Sequence, residues 1–220
     1  MKKAIRKTTF IFLILCLLIT FLYTYRYFSK TRLSLTKTRI EFFLNENDIK
    51  NILKTGDIIC RKGNGIWSDI CCDYSHRDKR FSHVGIIING HNGVKVLHAE
   101  ANDFTGIGAV IEEDLADFLL CSEGAGIYRL RNRNQSVEDA SSFTKVAYKY
   151  LNRPFDFKID LAESDKVYCT ELIYCVFAEL KPSVTLKVTK NGDKSIVPVD
   201  SCNDPELFFE IQVLPDFHKP

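Results

Sequence analysis

The alternation of apolar and polar residues divides the chain into an apolar amino-terminal run and a domain of mixed elements. Thr8 to Tyr25 carries no charge and is rich in Leu, Ile and Phe. At about 18 residues it is near the lower limit for spanning a bilayer. Residues 26–48 read as a juxtamembrane linker running into a short helix. From there Gly56-Asp57 forms a turn into a strand at Ile58-Ile59-Cys60-Arg61. Lys62 to Arg80 is polar and irregular, a surface loop with a helical turn at Ile66-Trp67. Val84 to Ile88 and Val94 to Ala99 are β-rich runs around the turn-forming Asn89-Gly90-His91-Asn92-Gly93, which predicts a hairpin. Strands are expected at 109–111, 126–130, 184–189 and 208–213. Helices are expected at 112–120 and from Ser136, as N-cap, to Leu151. Behind Cys169, the positions Leu172, Ile173, Val176, Phe177 and Leu180 make a helical stripe. Strands, then helices, then strands predict an α+β domain over residues 49–220 with a mostly antiparallel sheet.

Charge changes this picture at one end only. Residues 1–39 hold nine Lys/Arg and no acid, leaving 21 basic against 28 acidic residues in 40–220, a formal charge of −7. A domain of that sign is a poor nucleic-acid binder, and no nucleic-acid partner is expected. Four basic residues precede the apolar run, and no small residues offer a cleavage site near its end. Residues 1–25 are therefore expected to be an uncleaved signal anchor, with the amino terminus inside and the domain outside the membrane. Seven of the eight cysteines lie beyond the anchor. That number suits three bridges and one free thiol, and equally a reduced domain. Cys60, Cys71, Cys72 and His76 lack the spacing of a standard zinc site, and no metal is expected.

Candidate chemistry centres on Cys169. As the first residue of a buried helix, its thiol meets the positive end of the helix dipole and unpaired backbone N–H groups. These would favour a thiolate and could also hold an oxyanion. A cysteine nucleophile needs an imidazole, and the imidazole needs a third polar group to fix its tautomer. His83 opens one hairpin strand and His98 closes the other; Glu100 shares a face with His98 by strand parity. His83 is thus the candidate base, with His98 or Glu100 as its orienting partner.

Ser82-His83-Val84-Gly85-Ile86 followed by Val96-Leu97-His98-Ala99 resembles the histidine motif of the NlpC-type papain-like cysteine peptidases. Those enzymes carry their cysteine first. Here it follows, in Tyr168-Cys169-Thr170-Glu171-Leu172-Ile173-Tyr174, while Gly56-Asp57-Ile58-Ile59 opens the domain. That order resembles the circularly permuted branch, the YiiX-like papain-fold amidases, which include relatives of lecithin–retinol acyltransferase. The resemblance covers roughly residues 50–180. It implies a small antiparallel, barrel-like sheet packed on the helix that carries Cys169. It also implies Cys169 as nucleophile, His83 as base, His98 as third residue with Glu100 as its substitute, and no cofactor. The expected substrate is an amide or ester: a peptide, a cell-wall fragment or a lipid. A lipid-directed acyltransferase and a catalytically silent binding module are the competing readings.

Overall fold

The computed structural model describes residues 2–219 apart from 64–65, 103–104, 132–136, 164 and 182, with the side chains of 2–13, 66–67 and 137–138 also left out. Ser136, the expected N-cap, and the side chain of Trp67 lie outside the described residues.

A six-stranded antiparallel sheet organises the domain, in the order β4-β3-β2-β1-β5-β8. Its strands are β1 (Ile58–Gly63), β2 (His83–Gly90), β3 (Gly93–Ala101), β4 (Gly108–Asp114), β5 (Ser122–Leu130) and β8 (Phe208–Leu214). The hairpin β2–β3 pairs Ile86 with Leu97 and Gly90 with Gly93. The sheet is open rather than barrel-like, because β4 and β8 each pair with one named strand. At β4 the free edge is partly occupied by residues 152–155, whose backbone exchanges hydrogen bonds with Gly108 and Val110. A second hairpin joins β6 (Thr189–Asn191) to β7 (Lys194–Ile196). The strand expected at 184–189 is therefore irregular until Thr189.

Strand alternation gives the sheet two apolar faces. Val84, Ile86, Ile88, Leu97 and Ala99 pack against α6 (Cys169–Leu180) and α5 (Val137–Tyr148) through Leu172, Val176, Phe177 and Phe143. Ile59, Ile87, Val96 and Ile127 face the other way, onto α4 (Leu115–Leu120) and the end of α1 (Lys2–Glu46). Two short helices, α2 (Ile49–Ile52) and α3 (Ile66–Asp73), complete the set.

The linker expected over 26–48 is helical instead, since α1 runs without a break from Lys2 to Glu46. Its last turns bury Thr36, Ile40 and Leu44, a stripe four residues apart, and Lys37 pairs with Asp117 of α4 at 2.5 Å. Earlier along α1, Leu17, Leu18, Phe21, Leu22 and Phe28 are exposed. Among the described residues no helix is long and apolar enough to cross a membrane. The expected span, 8–25, falls partly on residues whose side chains are not described.

The turn at Gly56-Asp57 has a second task. Gly56 takes φ 85°, a left-handed conformation that glycine adopts without steric cost. Asp57, fully buried, receives a two-pronged bond from Arg129 at 2.8 and 2.7 Å and a backbone N–H from Lys54 at 2.8 Å. This clasp ties the start of β1 to β5.

Candidate active site

Cys169 opens α6 at one end of the sheet. Three backbone N–H groups, of Thr170, Val84 and Cys169 itself, donate towards its sulfur. The Val84 contact brings the thiol beside the peptide that follows His83. Burial outweighs these donors and pushes the thiol up to about 11. The thiolate expected from the helix dipole is therefore not the resting form: Cys169 rests as a neutral thiol. His83 moves the opposite way. Burial, then the Arg61 guanidinium, then His98 hold its imidazole well below 6.5. Burial thus favours the neutral form of both the thiol and the imidazole.

The segment that walls Cys169 is pinned by its neighbours in sequence. Val197 donates its N–H to the Tyr168 hydroxyl at 2.9 Å, and its carbonyl accepts the Thr170 hydroxyl at 2.5 Å. At the third helical position, Glu171 accepts the Tyr168 N–H at 3.3 Å. Glu171 is buried, and burial with nearby Asp156 and Asp160, opposed by Arg153, raises its carboxyl to about 7. Folding therefore favours the protonated form. Its contribution is complete below the ordinary 4.5 and is lost as pH rises through about 7. Thermal melts of wild type should lose stability across that window, on the order of 3 kcal/mol. Glu171→Gln should flatten the decline; an unchanged slope would contradict this reading.

His83 and His98 project from the face of the sheet opposite α6, where Phe118 of α4 packs against both rings. His83 Nε2 lies 2.8 Å from His98 Nδ1. Gly85 permits this arrangement, since a Cβ there would sit 2.4 Å from a Val96 methyl and 3.2 Å from the His98 Cβ. Glu100 is nearby but differently engaged. Its Oε1 accepts from Arg61 Nη2 at 2.8 Å, and its Oε2 is 3.7 Å from His98 Nδ1. Arg61, almost fully buried, also donates to the Phe118 carbonyl and stacks on that ring at 4.2 Å.

Two residues of this cluster were not anticipated from sequence, Arg61 and Glu113. Glu113 Oε1 lies 2.9 Å from His98 Nε2. Its position follows from the β3–β4 register, which places Glu113 opposite Val96 and hence on the His98 face. Among the described residues, His98, Glu100 and Glu113 form the group whose ligand-type atoms converge, all within 4.8 Å. Cys60, Cys71, Cys72 and His76 do not converge, and each of the eight cysteines is a free thiol.

Cys169 and His83 line one cavity of about 250 Å³. Arg61, Glu100, Ser82 and Thr170 add polar groups, while Tyr74, Phe155, Phe157, Ile159, Val197 and Val199 make much of the wall apolar. Gly63, Ser68, Cys71, Tyr74 and Cys121 also line it. The segments 155–159 and 196–199 complete the wall. Asp156 does not face the cavity; it is buried and accepts the N–H groups of Lys158 and Asp160 at 2.9 Å each. Arg153 stacks on Tyr150.

Residues 52–199 match the family described as permuted papain-like amidase enzymes, YaeF/YiiX, C92. The chain belongs to this family. The uncharacterized protein YiiX of Escherichia coli strain K12 is 26% identical over 125 residues, 56% of this chain and 57% of that protein. The alignment thus spans little more than half of that curated relative. The crystal structure of the metalloprotein YiiX from Escherichia coli O157:H7 superimposes with a TM-score of 0.63 at 17% identity. It covers 74% of this chain and 98% of that one. At that identity the likeness establishes the fold, a mixed α+β domain with an antiparallel sheet. The family is described as one of amidase enzymes.

Proposed function

We propose that this protein is a cysteine hydrolase that cleaves an amide bond through a thioester on Cys169, using chemistry akin to the NlpC-type peptidases. The observation that carries the reading is the shared cavity. Cys169, at the amino terminus of α6, and His83, whose Nε2 is engaged by His98, both line it. With Nε2 committed, Nδ1 is the nitrogen of His83 available to the thiol.

His83 takes the thiol proton as the sulfur–carbon bond forms. Backbone N–H groups at Cys169 and Thr170, which donate towards the resting sulfur, then stabilise the oxyanion. As the carbon–nitrogen bond breaks, His83 returns the proton to the departing amine. Water then adds to the thioester with His83 again accepting a proton, which releases the acid and restores the thiol. His98 holds the imidazole in place, the orienting role for which Glu100 was the alternative.

The apolar wall favours an acyl group of apolar character. That wall, with the exposed apolar residues along the first half of α1, also favours a second reading: acyl transfer to a lipid acceptor at a membrane surface. In either case α1 is proposed as the membrane-facing element, with the domain outside the cytoplasm.

The YiiX crystal structure is that of a metalloprotein. In this chain the residues that could hold an ion, His98, Glu100 and Glu113, already face a cation. Arg61 Nη2 is 2.8 Å from Glu100, and Nη1 is 4.0 Å from Glu113. A dication between them would sit against a buried guanidinium, so the group does not fit one, and no step is routed through a metal.

The substrate class is tested by incubating the full chain with N-acyl amines of increasing chain length, with short peptide amides, and with phosphatidylcholine vesicles plus an amine acceptor. Mass spectrometry should find free acid from the long-chain amides, released at least tenfold faster than from peptide amides. Acylated acceptor without free acid would favour the transferase. Turnover of peptide amides alone would overturn the acyl-chain reading.

A further inference from the structure

Glu113 stands at the end of a line of groups that begins at His83. His83 Nε2 lies 2.8 Å from His98 Nδ1, and on the far side of that second ring His98 Nε2 lies 2.9 Å from Glu113 Oε1. His98 is fully buried, and neither its Nε2 nor Glu113 Oε1 makes a hydrogen bond to any other described group. The two atoms are close without being hydrogen-bonded to each other, so the contact is one of charge and proximity. Arg61 stands beside the carboxylate, with its own charge bonded to Glu100.

We infer that Glu113 is a positioning residue, whose carboxylate sets the tautomers of both histidines and so decides which nitrogen Cys169 meets. An ionised carboxylate accepts and cannot donate. Facing it, His98 Nε2 carries its proton, and His98 Nδ1 is left with a lone pair. That lone pair accepts the Nε2 proton of His83. The Nδ1 of His83 is then unprotonated and able to take the proton of Cys169. With the opposite tautomer of His98, Nδ1–H would donate to His83 Nε2. The His83 proton would move to Nδ1, and the ring would face the thiol as a donor, useless as a base. One carboxylate two rings away thus selects between a competent base and an idle one. Arg61 lies 4.0 Å from Glu113 and, by occupying Glu100, leaves Glu113 as the acid facing His98 Nε2.

The inference rests on the hydrolase reading for its consequence, but the tautomers can be read without any substrate. Long-range proton–nitrogen spectra of the imidazoles in the full chain, assigned with His83→Gln and His98→Gln, should show both residues as Nε2–H tautomers. Glu113→Ala should convert His98 to the Nδ1–H form or a mixture, and slow acylation of Cys169 about tenfold to a hundredfold. Glu113→Asp, which keeps the charge, should recover most of the wild-type pattern, and a native-like melt of either variant separates this effect from misfolding. Wild-type His98 found as the Nδ1–H tautomer would overturn the inference, as would unchanged tautomers in both Glu113→Ala and Glu113→Gln. A stoichiometric metal on His98 Nε2 that is lost in Glu113→Ala would also overturn it. An inert Cys169 alongside the tautomers described would sink the hydrolase reading and leave this one standing.

Discussion

Replacing His83 with alanine lowers the rate of Cys169 acylation at pH 7 by about 10²–10⁴-fold, the usual contribution of a positioned general base. The size of the effect follows from the resting state. Burial pushes the Cys169 thiol up to about 11, so at pH 7 almost none of it ionises unaided. The gap between wild type and His83→Ala should therefore narrow as pH rises towards the ionisation of the thiol itself. On the acid side, the His83 imidazole is held well below 6.5, so it stays unprotonated and competent beneath that pH. The acid limb of the wild-type profile should lie below 6.5 and vanish in the variant. Rates measured with an activated acyl ester, read at Cys169 by mass spectrometry across pH, check all three expectations. A rate ratio that does not change with pH would show that His83 affects only structure.

The second large effect is on stability. Asp57→Ala should cost about 3–5 kcal/mol, because it leaves the Arg129 guanidinium, only 13% exposed, without its carboxylate. For a chain of this size that amounts to a fall in Tm of roughly 10 °C. Asp57→Asn keeps acceptor and donor atoms in place and should lose less. Combining Asp57→Ala with Arg129→Met should recover part of the loss, because no buried charge then remains unpaired. If the double variant is as unstable as the sum of the two singles, the clasp is not the source of the effect.

How much of this was legible in the sequence depends on whether a feature is local. The helix that begins at Cys169 follows from a stripe of apolar residues on one face. The β2–β3 hairpin follows from β-branched runs around Asn-Gly turns, and strand parity alone places His98 and Glu100 on one face. What failed to show depends on distant pairing. Glu113 reaches His98 because β4 pairs with β3 in one particular register, and a shift of one residue would turn it to the other face. Asp57 read as a turn residue because nothing nearby in sequence announces Arg129, 72 positions away. The cavity wall at 196–199 depends on Val197 being held by Tyr168 and Thr170. The charge state of Cys169 misled for another reason. A helix amino terminus is visible in sequence, but burial is a property of everything packed around it, and here burial is the larger influence. The linker expected after residue 25 became helix because Thr36, Ile40 and Leu44 find a surface to bury against.

The central claim is that Cys169 is an acyl-accepting nucleophile. Its most direct test is to mix the full chain with an activated long-chain acyl ester at pH 7, quench in acid within seconds, and map the adduct among the eight cysteines by mass spectrometry. The account predicts a thioester on Cys169 that forms first and decays in water, and that is absent from Cys169→Ala. Acylation confined to an exposed thiol such as Cys121, or a Cys169 that stays unmodified while the wild-type fold is intact, would contradict it.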